Sequence, residues 1–391
     1  MAHKPLNGIK VVDFTRMFAG PFCAMLLADL GADVVKIESP DGDPIRHQGP
    51  PFYDKESMSF MAVNRNKRSV VLNAKQPEDL KIIHQLVDQA DIIVENFLPG
   101  VMERMGLGYD EISKRRPQLI YAAMSGMGAT GPLHDKKAFD LTIQAEAGFM
   151  SLTGEPEGQP IKLGTSVFDL VCGQYATNAI VTALYQRTQT GRGCRVETSL
   201  YEGLVSFLVD AGMEWLLMNN LRAKWGSEHA STVPYKAFKA KDGWIVIGAA
   251  VQRLYETFVE ILGRADLATD PRFITLKGRV SNRAELYGIL DAEVAKWPMA
   301  ELAAKLDAAG VPCALVNTMK EVFEHPQTKA RDMLVKIRKP DGSEMPMIGS
   351  AMKFSTFDIT ADWTAPPALG QHTGEVLEQW LGIKSSAGQT K

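Results

Sequence analysis

Apolar residues along the first 220 positions fall into short bursts separated by longer helical stretches. Residues 9–14 (IKVVDF) form a compact apolar run, the signature of a buried strand. Gly20-Pro21 then opens a helix over FCAMLLADL that stops at Gly31, and residues 32–38 (ADVVKIE) form a second strand. Strand, helix and strand within 30 residues make a βαβ unit with parallel strands. The alternation continues: strands are expected at 69–72, 91–96 and 119–124, and helices at 77–90, 101–105 and 109–115. After the glycine-rich loop SGMGATGP (125–132), a helix is expected over 137–150, then a turn, TGEPEGQP (153–160). Residues 164–184 (GTSVFDLVCGQYATNAIVTAL) read as a buried helix, apolar on nearly every face. A turn at 190–194, a strand at 195–199 and a long apolar helix over 201–218 complete this part. Such repetition predicts an α/β fold with a Rossmann-like, doubly wound sheet.

Near residue 222 the pattern changes. A polar loop leads to two strands, YKAFKA and WIVIGA, joined by Lys241-Asp242-Gly243, a hairpin signal. Helical patterns follow at 252–262, 283–296 and 299–309. The expected division is a large Rossmann-like domain over 1–224, a small α+β domain over 225–325, and a return to the large domain over 326–391. That return holds a hairpin around Lys339-Pro340-Asp341-Gly342, a helix at 374–381 and a disordered tail, SSAGQTK.

Composition excludes more than it suggests. The 391 residues are 45% hydrophobic and 23% charged with a net charge of −3, so neither nucleic acid nor a membrane is expected as a partner. MAHKPLNG lacks an apolar signal core and no uninterrupted run of about 18 apolar residues occurs, so a cytoplasmic location is the expectation. Cys23, Cys172, Cys194 and Cys313 are far apart without a C-x-x-C, and the His residues lack metal-ligand spacing, so no disulfide and no metal is expected. FTRMFAGPF after the first strand is not G-x-G-x-x-G. Glu38 is therefore read as an exposed strand end rather than a ribose-binding acid. SGMGATGP is not a Walker A loop. Asp169, at the start of the 164–184 helix, is either a helix cap, the more ordinary role, or a partly buried nucleophile held ionised by the same N–H groups.

Five long stretches, FTRMFAGPFCAMLLADLGADVVKIE, NRNKRSVVLN, ENFLPGVMERMGLGY, SGMGATGPL and DLVCGQYATNAIVTALY, resemble the class III CoA-transferase family in order and spacing from about residue 6 to 375. That family includes formyl-CoA and L-carnitine CoA-transferases and the 2-methylacyl-CoA racemases. The resemblance implies a homodimer of interlocked, ring-like chains. It implies a nucleophile at Asp169, passing through an aspartyl anhydride and an aspartyl-CoA thioester. It also implies a CoA thioester as substrate and no permanently bound cofactor. The expected CoA contacts are Met17, Phe18, Leu72, Lys75, Asn96, Phe97, Arg104 and Lys137, with Arg104 and the lysines suited to phosphates.

Departures narrow the reading. Phe18 stands where formyl-CoA transferases carry Gln, and WGSEHAST (225–232) replaces their glycine run. Phe139 stands where the racemase branch carries its His, so a two-base proton transfer lacks a partner. KWGSEHASTVPYKAFKAKDGWIVIGA and LGQHT look most like the succinyl-CoA:glutarate (hydroxymethylglutarate) branch, which implies succinyl-CoA as donor and a C4–C6 dicarboxylic acid as acceptor. A cation should then hold the distal carboxylate: Arg16, Lys137 or His229. Arg16 is alternatively tied to Glu38 or Asp13, and His229 alternatively a loop hydrogen-bonder under Tyr235. A racemase and a non-catalytic CoA-binding protein are the competing functions.

Overall fold

The computed structural model describes residues 4–339 and 341–384. The SSAGQTK tail, Pro340 of the expected hairpin turn and residues 1–3 of the amino-terminal stretch lie outside the described residues. The chain divides into two compact units: Met1–Phe149, Lys162–Asn220 and Lys329–Lys391 in one, and Met150–Ile161 with Leu221–Thr328 in the other.

The first unit is a mixed α/β fold on a parallel central sheet. Its strands are β1 (Lys10–Asp13), β2 (Asp33–Glu38), β5 (Lys67–Val71), β6 (Ile92–Glu95), β7 (Ile120–Ser125) and β8 (Arg195–Ser199), and a two-strand hairpin, β3 (Phe52–Tyr53) and β4 (Glu56–Ser57), lies between β2 and β5. The sheet order is β5-β2-β1-β6-β7-β8, every pair parallel. Register explains the near-continuous apolar strands, because both faces are buried. Val11 aligns with Val34 and Ile92, and all three face the helices Ala19–Asp29 and Val167–Thr190. Val12 aligns with Val35 and Ile93 on the opposite face, against Ile83, Leu86 and Trp380.

Strand order reverses at β1, since β2 lies on one side of it and β6 on the other. In open parallel sheets the ligand crevice opens beyond the carboxyl ends of the strands at such a reversal. Here that means the segments after Asp13 and Glu95.

Charged residues are buried near this end. Asp13 pairs with Lys67 at 3.0 Å and Lys36 with Asp43 at 2.9 Å, all four out of contact with water. Glu38 is not the exposed strand end expected from sequence. Because β2 is flanked by β1 and β5, Glu38 is buried, and it accepts from Arg46 Nε and Nη2 (2.8 Å each) and from Ser69 Oγ (2.6 Å). Burial opposes its ionisation, but Arg46 and Lys36 hold its pKa down at about 2.

Two expected helices are each broken in two. The 137–150 stretch becomes Asp140–Glu146 and Phe149–Leu152, parted at Gly148, whose φ of 88° ends the first piece. The 201–218 stretch becomes Leu200–Ser206 and Val209–Met218 with no Gly or Pro between them. The Val167–Thr190 helix is long and apolar enough, by length and composition, to cross a membrane. Counting only uninterrupted apolar runs did not register it. Its Phe168, Cys172, Ala176 and Ile180 are core residues of the sheet.

The second unit carries β9 (Tyr235–Lys239), β10 (Trp244–Gly248) and β11 (Cys313–Leu315) in one antiparallel sheet, with the hairpin expected at 241–243. Its core gathers Phe238, Ile245, Tyr255, Phe258 and Leu286 around the fully buried Arg279, which donates to the Val233, Ala250 and Phe273 carbonyls. In the first unit, β12 (Leu334–Arg338) and β13 (Glu344–Ile348) form the carboxyl-terminal hairpin.

Candidate active site

The segments after β1 and β6 are tied together across the crevice. The Arg16 N–H donates to Asn96 Oδ1 (2.8 Å), and Asn96 Nδ2 donates to the Arg16 carbonyl (2.7 Å). The Arg16 guanidinium lies 5.0 Å from the centroid of the Phe97 ring. Three of the residues singled out from sequence are thus adjacent. Met17 and Phe18 follow directly and lead into the Ala19–Asp29 helix. Arg16 is tied to neither Glu38 nor Asp13, whose oxygens are taken by Arg46 and Lys67.

The Val167–Thr190 helix crosses this helix at Gly173. A Cβ on Gly173 would lie 2.6 Å from the Ala19 carbonyl oxygen and 3.3 Å from the Cys23 nitrogen, so only glycine allows the approach. Thr177, one turn on, keeps its hydroxyl within its own helix, on the Gly173 carbonyl (2.9 Å). Gly173 thus packs this helix against the first turns of the Ala19–Asp29 helix. Asp169 lies four residues before Gly173, on the same helical face.

The two readings of Asp169 separate here. Its helix is capped by another residue: Asp140 Oδ1 accepts from the Phe168 N–H at 3.0 Å. Asp140 Oδ2 accepts from the Gln144 amide, and Gln144 Oε1 in turn accepts from the Leu163 N–H at 3.0 Å. The Asp169 carboxylate, half-buried, accepts no hydrogen bond among the described residues. Burial and then the neighbouring Asp140 carboxylate push its pKa up to about 7. A partly desolvated carboxylate that accepts no hydrogen bond among the described residues is equipped for nucleophilic attack.

Of the other expected contacts, Lys75, Arg104 and Lys137 are exposed and, like Arg16, make no ion pair among the described residues. Their neighbours Lys36, Arg46, Lys67, Arg68 and Lys136 are all paired. Leu72 has its side chain in the core and its N–H on the Glu38 carbonyl (2.9 Å), so its side chain is not offered to a ligand. His229 belongs to the second unit. Its Nδ1 accepts from the Ser231 N–H (3.2 Å) and its ring meets Tyr235 edge-on at 5.9 Å, the loop hydrogen-bonding reading.

Sequence reasoning missed Asp140 as the cap and also a cleft of ≈ 190 Å³ beside β6, β7 and β8, lined by Glu95, Phe97, Tyr109, Tyr121 and Glu197 among others. Burial, with Glu103 nearby, pushes Glu95 up to about 7. The acid after an apolar strand run, IIVE, was the available signal, since such a position is buried when both faces of the sheet are covered.

A doubly wound α/β sheet with a switch-point crevice, exposed cations that make no ion pair among the described residues, and a carboxylate that accepts no hydrogen bond among them together suit an anionic ligand. Residues 6–373 match CoA-transferase family III. The chain is 38% identical over 385 residues to the succinyl-CoA:glutarate CoA-transferase of Mus musculus, covering 98% of this chain and 88% of that protein. It is 38% identical to the acetyl-CoA:oxalate CoA-transferase of Acetobacter aceti over 96% of each chain. The crystal structure of a CaiB/BaiF-family protein from Brucella suis superposes with a TM-score of 0.88 at 35% identity, covering 97% of this chain and all of that one. The chain belongs to CoA-transferase family III, and it is an enzyme of the CoA-transferase type.

Proposed function

We propose that this enzyme moves CoA from succinyl-CoA to a C4–C6 dicarboxylic acid, with Asp169 as nucleophile. The carrying observation is that the Asp169 carboxylate is left uncommitted because Asp140 caps its helix. The Asp169 carboxylate oxygen attacks the thioester carbonyl and CoA leaves as thiolate, giving an aspartyl–acyl anhydride. The thiolate attacks the aspartyl carbonyl, releasing the donor acid and leaving an aspartyl-CoA thioester. The acceptor carboxylate attacks that thioester, and the thiolate then takes the acceptor acyl group from the second anhydride. Free Asp169 is restored, and no electron is exchanged.

The cations serve this scheme. Lys75, Arg104 and Lys137 would meet the phosphates of CoA, which reward charge-assisted bonds. Met17, Phe18, Asn96 and Phe97 would border the pantetheine arm, with Leu72 beside the adenosine. Arg16 is the proposed partner of the acceptor's distal carboxylate, since the His229 ring is engaged within its own loop. The likeness to the mouse enzyme favours a dicarboxylate, and the likeness to the Acetobacter enzyme makes oxalate a necessary control. Phe139, 61% exposed, offers no proton to an α-carbon, which weighs against a racemase.

The active form is proposed to be an interlocked homodimer. The helices Leu200–Ser206 and Val209–Met218 leave Val209, Leu216, Leu217 and Met218 68–75% exposed, an apolar face that association would cover.

Thioester exchange tests the whole reading. Protein mixed with succinyl-CoA and glutarate, 3-hydroxy-3-methylglutarate, mesaconate, itaconate, citramalate or oxalate should yield a new dicarboxylyl-CoA by mass spectrometry, and Asp169→Ala should abolish it. Exchange that survives in Asp169→Ala would refute the nucleophile. Wash-out of α-deuterium from an acyl-CoA with no acceptor present would restore the racemase.

A further inference from the structure

The backbone between β1 and the Ala19–Asp29 helix is held almost atom by atom. Thr15 N donates to Asp13 Oδ1 (2.8 Å), and the Thr15 carbonyl accepts from Lys36 Nζ (2.7 Å). Arg16 spends both main-chain groups on Asn96. Met17 N donates to Asp43 Oδ1 (3.1 Å). Met17 has a φ of 67°, left-handed backbone that an unbranched non-glycine residue occupies only at a cost. The conformation persists because its surroundings impose it.

Asp43 is the side chain that meets the Met17 N–H. It is buried, its own N–H donates to Glu38 Oε2 (3.0 Å), and its Oδ1 also accepts from Ile45 N (3.1 Å). Its Oδ2 meets Lys36 Nζ at 2.9 Å. Lys36 and Asp43 therefore grip residues 15–17 from both sides, the ammonium on the Thr15 carbonyl and the carboxylate on the Met17 N–H. Both groups are shielded from water and from any ligand in the crevice. A buried ion pair is by itself a weak source of net stability. This one is spent on a strained peptide next to Phe18.

We infer that Asp43, backed by Lys36, is a positioning residue that holds Met17 in its left-handed backbone and so sets the shape of the crevice edge that receives CoA. This rests on the reading of Met17 and Phe18 as CoA contacts. Asp43 also caps the short Pro44–His47 turn, so the test must separate the two roles.

Binding of free CoA by calorimetry provides that test. Asp43→Ala removes the acceptor, and CoA should bind roughly tenfold more weakly, the factor matching the usual cost of left-handed backbone in a non-glycine residue. Asp43→Asn keeps an Oδ1 acceptor and should recover part of the loss. The decisive arm is the double-mutant cycle with Met17→Gly: glycine adopts φ of 67° without strain, so Asp43→Ala should cost CoA affinity about tenfold in the parent and far less in the Met17→Gly protein, whatever the Met17 side chain itself contributes. A turn-capping role alone would cost the same in both. Unchanged CoA affinity in folded Asp43→Ala, or an equal loss in the Met17→Gly protein, overturns the inference. Met17→Val serves as the control and covers the case in which Asp43→Ala does not fold. A β-branched residue resists this backbone, so weaker CoA binding supports the inference, whereas unchanged binding shows that the contact reading of Met17 has failed instead.

Discussion

At the residue scale the consequential number is the pKa of Asp169, about 7. Only the carboxylate attacks, so kcat/KM should climb with pH up to about 7 and level off above it. Asp140→Asn keeps an oxygen for the Phe168 N–H and removes the like charge. The ionised form of Asp169 then gains, and the midpoint of the profile should move to lower pH. A midpoint that stays put would show that Asp140 acts on Asp169 only through helix capping. The helix alone left Asp169 between cap and nucleophile, and only the family resemblance chose the nucleophile. The cap of its helix comes from residue 140, 29 positions earlier, and a partner that distant leaves no local pattern. Lys36 and Lys67 were equally opaque. Each looks like an ordinary strand charge until the neighbouring strands show that the position is interior.

Elements were more legible, because their signals are local. Apolar runs of period one marked the parallel strands, and Gly31 and Gly191 close their helices in left-handed backbone. The break at Gly148 had a residue to announce it; the break after Ser206 did not. The close approach of Gly173 to Ala19 is readable only once two helices are side by side. Gly173→Ala should force that crossing apart, since the clashing atom is backbone and cannot swing away. The expected cost is about 1–3 kcal/mol of stability. Asp169 would also shift relative to Met17, so kcat should fall more than the loss of folded protein explains. Thermal melting and single-turnover kinetics on the same preparation would check both halves.

For the whole molecule, the doubly wound class and the crevice at the strand reversal follow from the order of strands and helices. The partnership of chains does not, because periodicity shows that a helix face is apolar without showing what covers it. Val209–Met218 leaves Leu216 and Leu217 each 75% exposed. Light scattering should give twice the mass of one chain at micromolar concentration. Leu216→Glu with Leu217→Glu should shift the mass toward a monomer and make the melting temperature depend on protein concentration. Dimers that persist unchanged in that variant would place the interface elsewhere.

The buried square of Asp13, Lys67, Lys36 and Asp43 has a consequence for how this chain can change. Its two positive and two negative charges balance inside the protein, so any single neutral replacement strands a charge that had a partner. Replacing Lys36 and Asp43 together by apolar residues keeps the charge balanced but leaves the Thr15 carbonyl and the Met17 N–H without their partners. For mutation and for laboratory evolution, these four codons spread over 55 positions behave as a single locus, and the crevice edge they support is inherited as a unit.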